Sequence, residues 1–227
     1  MPDPRPLDHV VHAVPDLDEA ADRYSRLGFS VTPRADHPFG TSNRLIVLDN
    51  GYIEIVAVTS RERLPATGFG AQVAQALESG GGGITHFVFG STDPPSEMTE
   101  LGTDATGEIF TFSRPAPQID GGIVTARFEC VLTHGADDVG AFLCRHLAPE
   151  AVWNDHNVRH ANSVRRLRRA TRPMSVEASD ALSRICNSPV DNGLIQAGTV
   201  IIGRGPMAIT FDLETSPVDI GGVTVGG

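Results

Sequence analysis

The chain has 227 residues, 40% of them apolar and 20% charged, with a formal net charge of −10; it is long enough to bury a core in one domain or two, and its charge disfavours a general binder of nucleic-acid backbones. All 18 basic residues are Arg, so the absence of Lys excludes Schiff-base chemistry and a phosphate-cradling P-loop. The three cysteines, Cys130, Cys144 and Cys186, lack CxxC spacing and argue against a disulfide framework or thiolate zinc site.

In chain order, Leu7–Val14 is an apolar run between prolines, with His9 and His12 embedded, and reads as a strand. Asp16 starts a helix, with Glu19 as a capping partner; Leu17, Ala20, Ala21, Tyr24 and Leu27 share its apolar face, and Gly28 suits its end. Three strands are expected next, at Phe29–Arg34, Asn43–Leu48 and Tyr52–Val58, the last two joined by the hairpin signal Asp49-Asn50-Gly51. A helix-like stretch, Gly70–Leu77, leads to four glycines, Gly80–Gly83, which read as a flexible joint. Ile84–Gly90 is a strand, Asp93–Leu101 a shorter helix, and Glu108–Arg114 with Ile123–Leu132 two more strands. The order strand, helix, strands thus recurs as an internal repeat of pattern. Further on, Val139–His146 reads as a helix, Val164–Thr171 as a strand and Ser175–Ile185 as a helix. Thr199–Ile202 with Met207–Leu213 reads as a final hairpin. The expected division is a first βαβββ module over 1–66, a second over 67–135, and a C-terminal segment over 136–227 that could be a third, degenerate copy.

Leu7-Asp8-His9-Val10-Val11 followed by Val14-Pro15-Asp16-Leu17-Asp18 resembles the opening of a vicinal-oxygen-chelate, glyoxalase-like module. Tyr52-Ile53-Glu54-Ile55-Val56 is similar to a closing strand, Ile84-Thr85-His86-Phe87-Val88 to the opening of a second module, and Arg127-Phe128-Glu129-Cys130-Val131 to its close. The stretch from His146 to Asn162 is similar to part of a larger glyoxalase-like family. The resemblance covers about the first 130 residues and implies an α+β fold of tandem βαβββ modules whose strands curl around a cavity. It also implies metal ligands on the first and last strands of each module, which here are His9, Glu54, His86 and Glu129.

Strand alternation puts His9 with Leu7 and Val11, and Glu54 with Tyr52 and Val56, while Phe87 and Phe89 point opposite to His86 and Phe128, Cys130 and Leu132 opposite to Glu129. A carboxylate inside an apolar strand costs several kcal/mol unless paired or metal-bound. Two imidazoles and two carboxylates suit Zn, Ni, Co, Mn or Fe as the divalent ion, although Arg44 and Arg127 are alternative partners for the two acids. His37, Asn43, Arg44 and Arg114 are the expected substrate-binding residues, Arg being suited to a carboxylate; a solvated loop explains all four equally well. The expected function is a metal-dependent isomerase or lyase on a small oxygenated substrate, with Glu54 or Glu129 moving the proton. The alternatives are an Fe(II) extradiol-type dioxygenase and a metal-free protein that sequesters a small molecule. No apolar run is long enough for a membrane span and no signal-peptide h-region accompanies Arg5. The expectation is therefore a cytoplasmic protein without nucleic-acid or membrane partners, a homodimer being left open. The basic run Arg159, Arg165, Arg166, Arg168, Arg169 and Arg172 reads, in so acidic a chain, as a solvated strand edge or as paired within the molecule to acidic surface.

Overall fold

The computed structural model describes residues 3–134, 139–213 and 216–226; the parts of the expected modules that fall on residues 1–2, 135–138, 214–215 and 227 lie outside them. Strand β1 (Leu7–Ala13) is buried along its whole length. Helix α1 (Leu17–Arg26) follows, where the Asp16 carboxylate accepts the backbone N–H groups of Asp18 and Glu19 and so satisfies two open donors of the first turn. Strands β2 (Ala35–Asp36), β3 (Thr41–Leu48) and β4 (Gly51–Val58) complete a βαβββ unit. The strand expected at Phe29–Arg34 is absent. Pro33 has no N–H to give a ladder, and Thr32 instead exchanges its backbone and hydroxyl with Leu45.

Helix α2 (Phe69–Gly80) joins this unit to β5 (Gly83–Gly90), α3 (Pro94–Leu101), β6 (Ala105–Pro117), β7 (Ile123–Thr133) and β8 (Gly140–His146). The eight strands form one sheet in the order β2-β3-β4-β1-β5-β8-β7-β6. β1 lies parallel to β4 as β5 lies parallel to β8, and the two units meet where β1 runs antiparallel to β5. The closing strand of the second unit is therefore β8, the segment expected to be a helix. Its side chains alternate with period two: Ala141 and Leu143 face one core, and Phe142 and Cys144 the other. Of the glycine run leading into β5, Gly80 and Gly81 are open to solvent, whereas Gly82 and Gly83 are closely packed. Gly81 caps α2 in the left-handed region, and at Gly82, with φ +122°, a Cβ would lie 2.4 Å from the Ala13 carbonyl oxygen.

The second sheet comprises β9 (Leu167–Arg172), β10 (Val190–Asp191), β11 (Leu194–Ala197), β12 (Val200–Arg204), β13 (Ala208–Phe211), β14 (Val218–Ile220) and β15 (Val223–Val225). Helix α4 (Val176–Cys186), capped by the Ser175 hydroxyl, follows β9. The order β10-β11-β12-β9-β13-β15-β14 repeats that of the first sheet without a counterpart of β6. β9 is parallel to β12 and antiparallel to β13, as β1 is to β4 and β5. The final hairpin expected from Thr199–Ile202 and Met207–Leu213 does not form, because β9 lies between its two strands. One core joins the sheets: Ile46, Ile53, Phe87 and Phe89 of the first pack in one cluster with Leu167, Ile202 and Ile209 of the second.

Candidate active site

The other face of the first sheet lines a cavity of about 440 Å³. Two irregularities in the β1–β5 pairing turn its polar residues inward. Leu7 opposes Phe89 and His9 opposes Val88, so Asp8 is an extra residue on β1; Val11 opposes His86 and His12 opposes Ile84, so Thr85 is an extra residue on β5. Each bulge places two consecutive side chains on one face. Leu7 and Val10 stay in the inter-sheet core, as do Ile84 and Phe87, while Asp8 meets His9, and Thr85 meets His86, on the cavity side.

His9 Nδ1 lies 2.6 Å from Asp8 Oδ1. The Asp8 carboxylate accepts the Nδ1–H, and the other ring nitrogen, Nε2, faces Glu54 Oε2 at 3.6 Å. At His86 the roles are reversed: Nε2–H donates to Gln72 Oε1 of α2 at 2.8 Å, and Nδ1, 3.0 Å from the Thr85 hydroxyl, accepts from it. Gly140 makes room for this ring, since a Cβ there would lie 2.0 Å from His86 Cδ2. Glu54, also buried, accepts from Asn43 Nδ2 at 2.5 Å and lies 3.5 Å from His37 Nε2. Burial pushes His37 down to about 4 and His86 down to about 3, so both rings are neutral at pH 7. Asp8 goes the other way from what burial alone would do: His146, with Nε2 3.1 Å away, and His9 hold it below the carboxylate range.

The cavity brings together His9, Glu54, His86, His37 and Arg114, with Asn43 behind Glu54. Arg114 is buried, lies 5.8 Å above the Phe128 ring, and has an Nε without a partner among the described residues. Two expected site residues are not brought there. Arg44 is on the opposite face of β3, bonded to Asp18 of α1 at 2.7 Å. Glu129 is on the opposite face of β7, 3.4 Å from Arg145, and it is Phe128, Cys130 and Leu132 that line the cavity. Strand pairing gives the reason: Glu54 opposes Val11, two residues beyond His9, and the residue that opposes Val88, two beyond His86, is Phe142 of β8. The fourth corner is thus aromatic, its ring centre 5.9 Å from that of His9 and 6.1 Å from that of His86.

The family model for the glyoxalase-like domain matches residues 7–184. This chain belongs to the glyoxalase-like domain family. No curated protein matches it. Among solved structures, a hypothetical protein from Staphylococcus aureus is similar over 96% of this chain and 97% of its own, at 13% identity and a TM-score of 0.66. A 4-hydroxymandelate synthase mutant from Streptomyces coelicolor is similar over 95% of this chain and 72% of its own, at 14% identity and a TM-score of 0.55. These likenesses concern the fold, and they extend through both sheets.

Within the glyoxalase-like fold, sequence reasoning missed Asp8, Gln72, Phe142, Cys144 and His146. Asp8, Cys144 and His146 place one ligand-type atom each within 4.8 Å of one another beside His9. The signal for the last three of the five was present, since reading 139–146 as a strand puts Phe142, Cys144 and His146 on one face. Asp8 had no such signal, because the bulge that turns it inward is invisible in the pattern.

Proposed function

We propose that this chain is a divalent-metal-dependent enzyme that moves a proton on a small oxygenated substrate with an apolar, aromatic-sized body. The observation that carries the reading is the pair of bulges on β1 and β5, each presenting a His to the cavity with its Nδ1 held by the preceding residue. The donor set fits an ion. His9 Nε2 and the Glu54 carboxylate face each other at 3.6 Å with no hydrogen bond between them, an imidazole nitrogen and a carboxylate oxygen that one divalent ion can take together. His9, Glu54 and His86 would hold it, and when bound it would supply Lewis-acid stabilisation of a developing oxyanion.

The chain's own residues supply the remainder. Phe39, Phe69, Phe112, Phe128 and Phe142 exclude water and pack the substrate body. Arg114 offers its guanidinium to an anionic group. Asn43 holds Glu54 Oε1, and His37, neutral and adjacent to that carboxylate, is placed to accept or return a proton. Isomerase or lyase chemistry is favoured. A second reading, an Fe(II) dioxygenase, is favoured by the loss of the fourth acidic corner to Phe142, which leaves two imidazoles and one carboxylate.

Elemental mass spectrometry of protein purified without added metal tests the proposal. The expected result is about one divalent ion per chain, lost in His9→Ala and Glu54→Gln while both still fold. Iron as the resident metal would select the second reading. A folded wild-type protein that contains no metal and takes up none on titration with Zn²⁺, Mn²⁺ or Fe²⁺ would overturn both in favour of a metal-free binding protein.

A further inference from the structure

We infer that the second sheet carries an anion site, built at the place where the first sheet carries His9, and that its ligand is a phosphate group. The pairing of β9 with β13 repeats the irregularity of β1: Leu167 opposes Phe211 and Arg169 opposes Thr210, so Arg168 is an extra residue. Leu167 and Ala170 point into the shared core, as Leu7 and Val10 do, and the bulge turns both Arg168 and Arg169 to the other face. By register Arg168 stands where Asp8 stands in the first sheet and Arg169 where His9 stands. Gly203, which opposes Thr171, stands where Glu54 opposes Val11. The second sheet has thus replaced an acid, an imidazole and an acid by two cations and a residue without a side chain.

The replacement is a change of ligand sign. The arginines line an open concavity of about 470 Å³ with Gln196, Thr199, Ile201 and Thr210. They are not at a sheet edge, as the basic run suggested, but on a central strand. Neither has an ion-pair or hydrogen-bond partner among the described residues, although Arg165 in the same run is paired with Asp49. Two adjacent like charges repel, and a chain with a formal net charge of −10 has carboxylates to spend on them; leaving both open suits a ligand that brings its own negative charge. Two guanidinium groups match the charge of a phosphate monoester and offer it forked donors. The Thr199 hydroxyl oxygen accepts from Asn50 Nδ2 at 2.9 Å, which leaves its O–H to donate. Gln196 spends its Nε2 hydrogens on the Gly198 and Val200 carbonyls, so its Oε1 remains to accept from a hydroxyl of the molecule that carries the phosphate.

The test is a titration of the full chain with inorganic phosphate, with chloride holding the ionic strength constant, read at the arginine Nε–H resonances. The expected result is saturable shifts at Arg168 and Arg169, none at Arg204, and binding weakened by about tenfold or more in the Arg168→Gln, Arg169→Gln double variant, the loss expected for removing forked charge-assisted bonds. Arg204→Gln, outside the concavity, is expected to bind as the wild type does. Shifts that rise linearly without saturating, shifts centred on Arg114 of the main cavity, or equal binding by the double variant would each overturn the inference. The wild-type resonances decide it even if the double variant fails to fold, and the result does not depend on whether the first sheet holds a metal.

Discussion

Asp8 ties two histidines together: its Oδ1 serves both His9 Nδ1 and His146 Nε2. Removing its charge in Asp8→Asn is expected to weaken metal binding by about 10- to 100-fold, the usual effect of losing a carboxylate behind a ligating imidazole, as read by calorimetric titration. Gly140→Ala is expected to act by crowding, since a Cβ would lie 2.0 Å from the His86 ring; metal content falls while the far-ultraviolet circular dichroism is unchanged. At Glu129 the expectation is the reverse of what sequence suggested. Glu129→Gln breaks only a part-exposed pair with Arg145, so metal content stays at the wild-type value and stability changes by no more than about 1 kcal/mol. His9, Glu54 and His86 were legible because each interrupts an apolar strand with a group that needs a partner. Glu129 does the same in β7 but on the other face, and a one-residue shift of phase decides between cavity and solvent.

Most strands and helices were legible from their periods, and their irregularities were not. The hairpin at Asn50-Gly51, the Asp16 cap and the Ser175–Ile185 helix rest on local chemistry that the sequence states outright. The bulges at Asp8 and Thr85 depend on how β1 and β5 pair across more than seventy residues, which no local pattern encodes. β8 was misread because its seven residues, Gly140–His146, are few enough for a helix and a strand to bury the same apolar ones. The glycines before β5 were read as slack, and the structure uses one of them for a close approach. Gly82→Ala would put a Cβ 2.4 Å from the Ala13 carbonyl oxygen at φ +122°. It is expected to destabilise the fold by about 1–3 kcal/mol, the cost of holding an L-residue in such a conformation, seen as a lower urea midpoint with an unchanged slope.

At the scale of the molecule, buried neutral histidines make stability depend on pH. Burial pushes His12 and His37 down to about 4 and His86 down to about 3, whereas an unfolded-chain imidazole titrates near 6.5. Between those values the unfolded chain binds more protons than the folded one. Their contribution is therefore complete above about pH 6.5 and declines as pH falls through 6.5 toward 4, and for His86 toward 3. Metal-free protein is expected to show an unchanged melting temperature from pH 8 to 7 and a falling one from 6.5 to 4.5. His12, which is wholly buried and bonded to Tyr24 at 2.9 Å, lies outside the cavity, so His12→Gln should flatten part of that slope without changing metal content. A slope equal to that of the wild type would show that His12 does not titrate as its burial implies.

The first sheet is complete by His146; α1 and α3 cover part of its core face, and the rest is covered by α4 and by strands that run from Leu167 to Val225. On a ribosome adding roughly 5–20 residues per second, the remaining stretch of about 80 residues takes on the order of 4–16 s to synthesise. For that interval the part of this face that the second sheet covers lies bare on a nascent chain whose cavity strands are already available to pair. Premature termination in the second half is therefore a different lesion from a missing domain: it yields a nearly finished first sheet with a sticky back, a client for chaperones. Translation of residues 1–150 alone is expected to give aggregated or chaperone-bound product, scored by sedimentation against the full-length chain; a soluble monomer would mean that the first half has another way to cover that face.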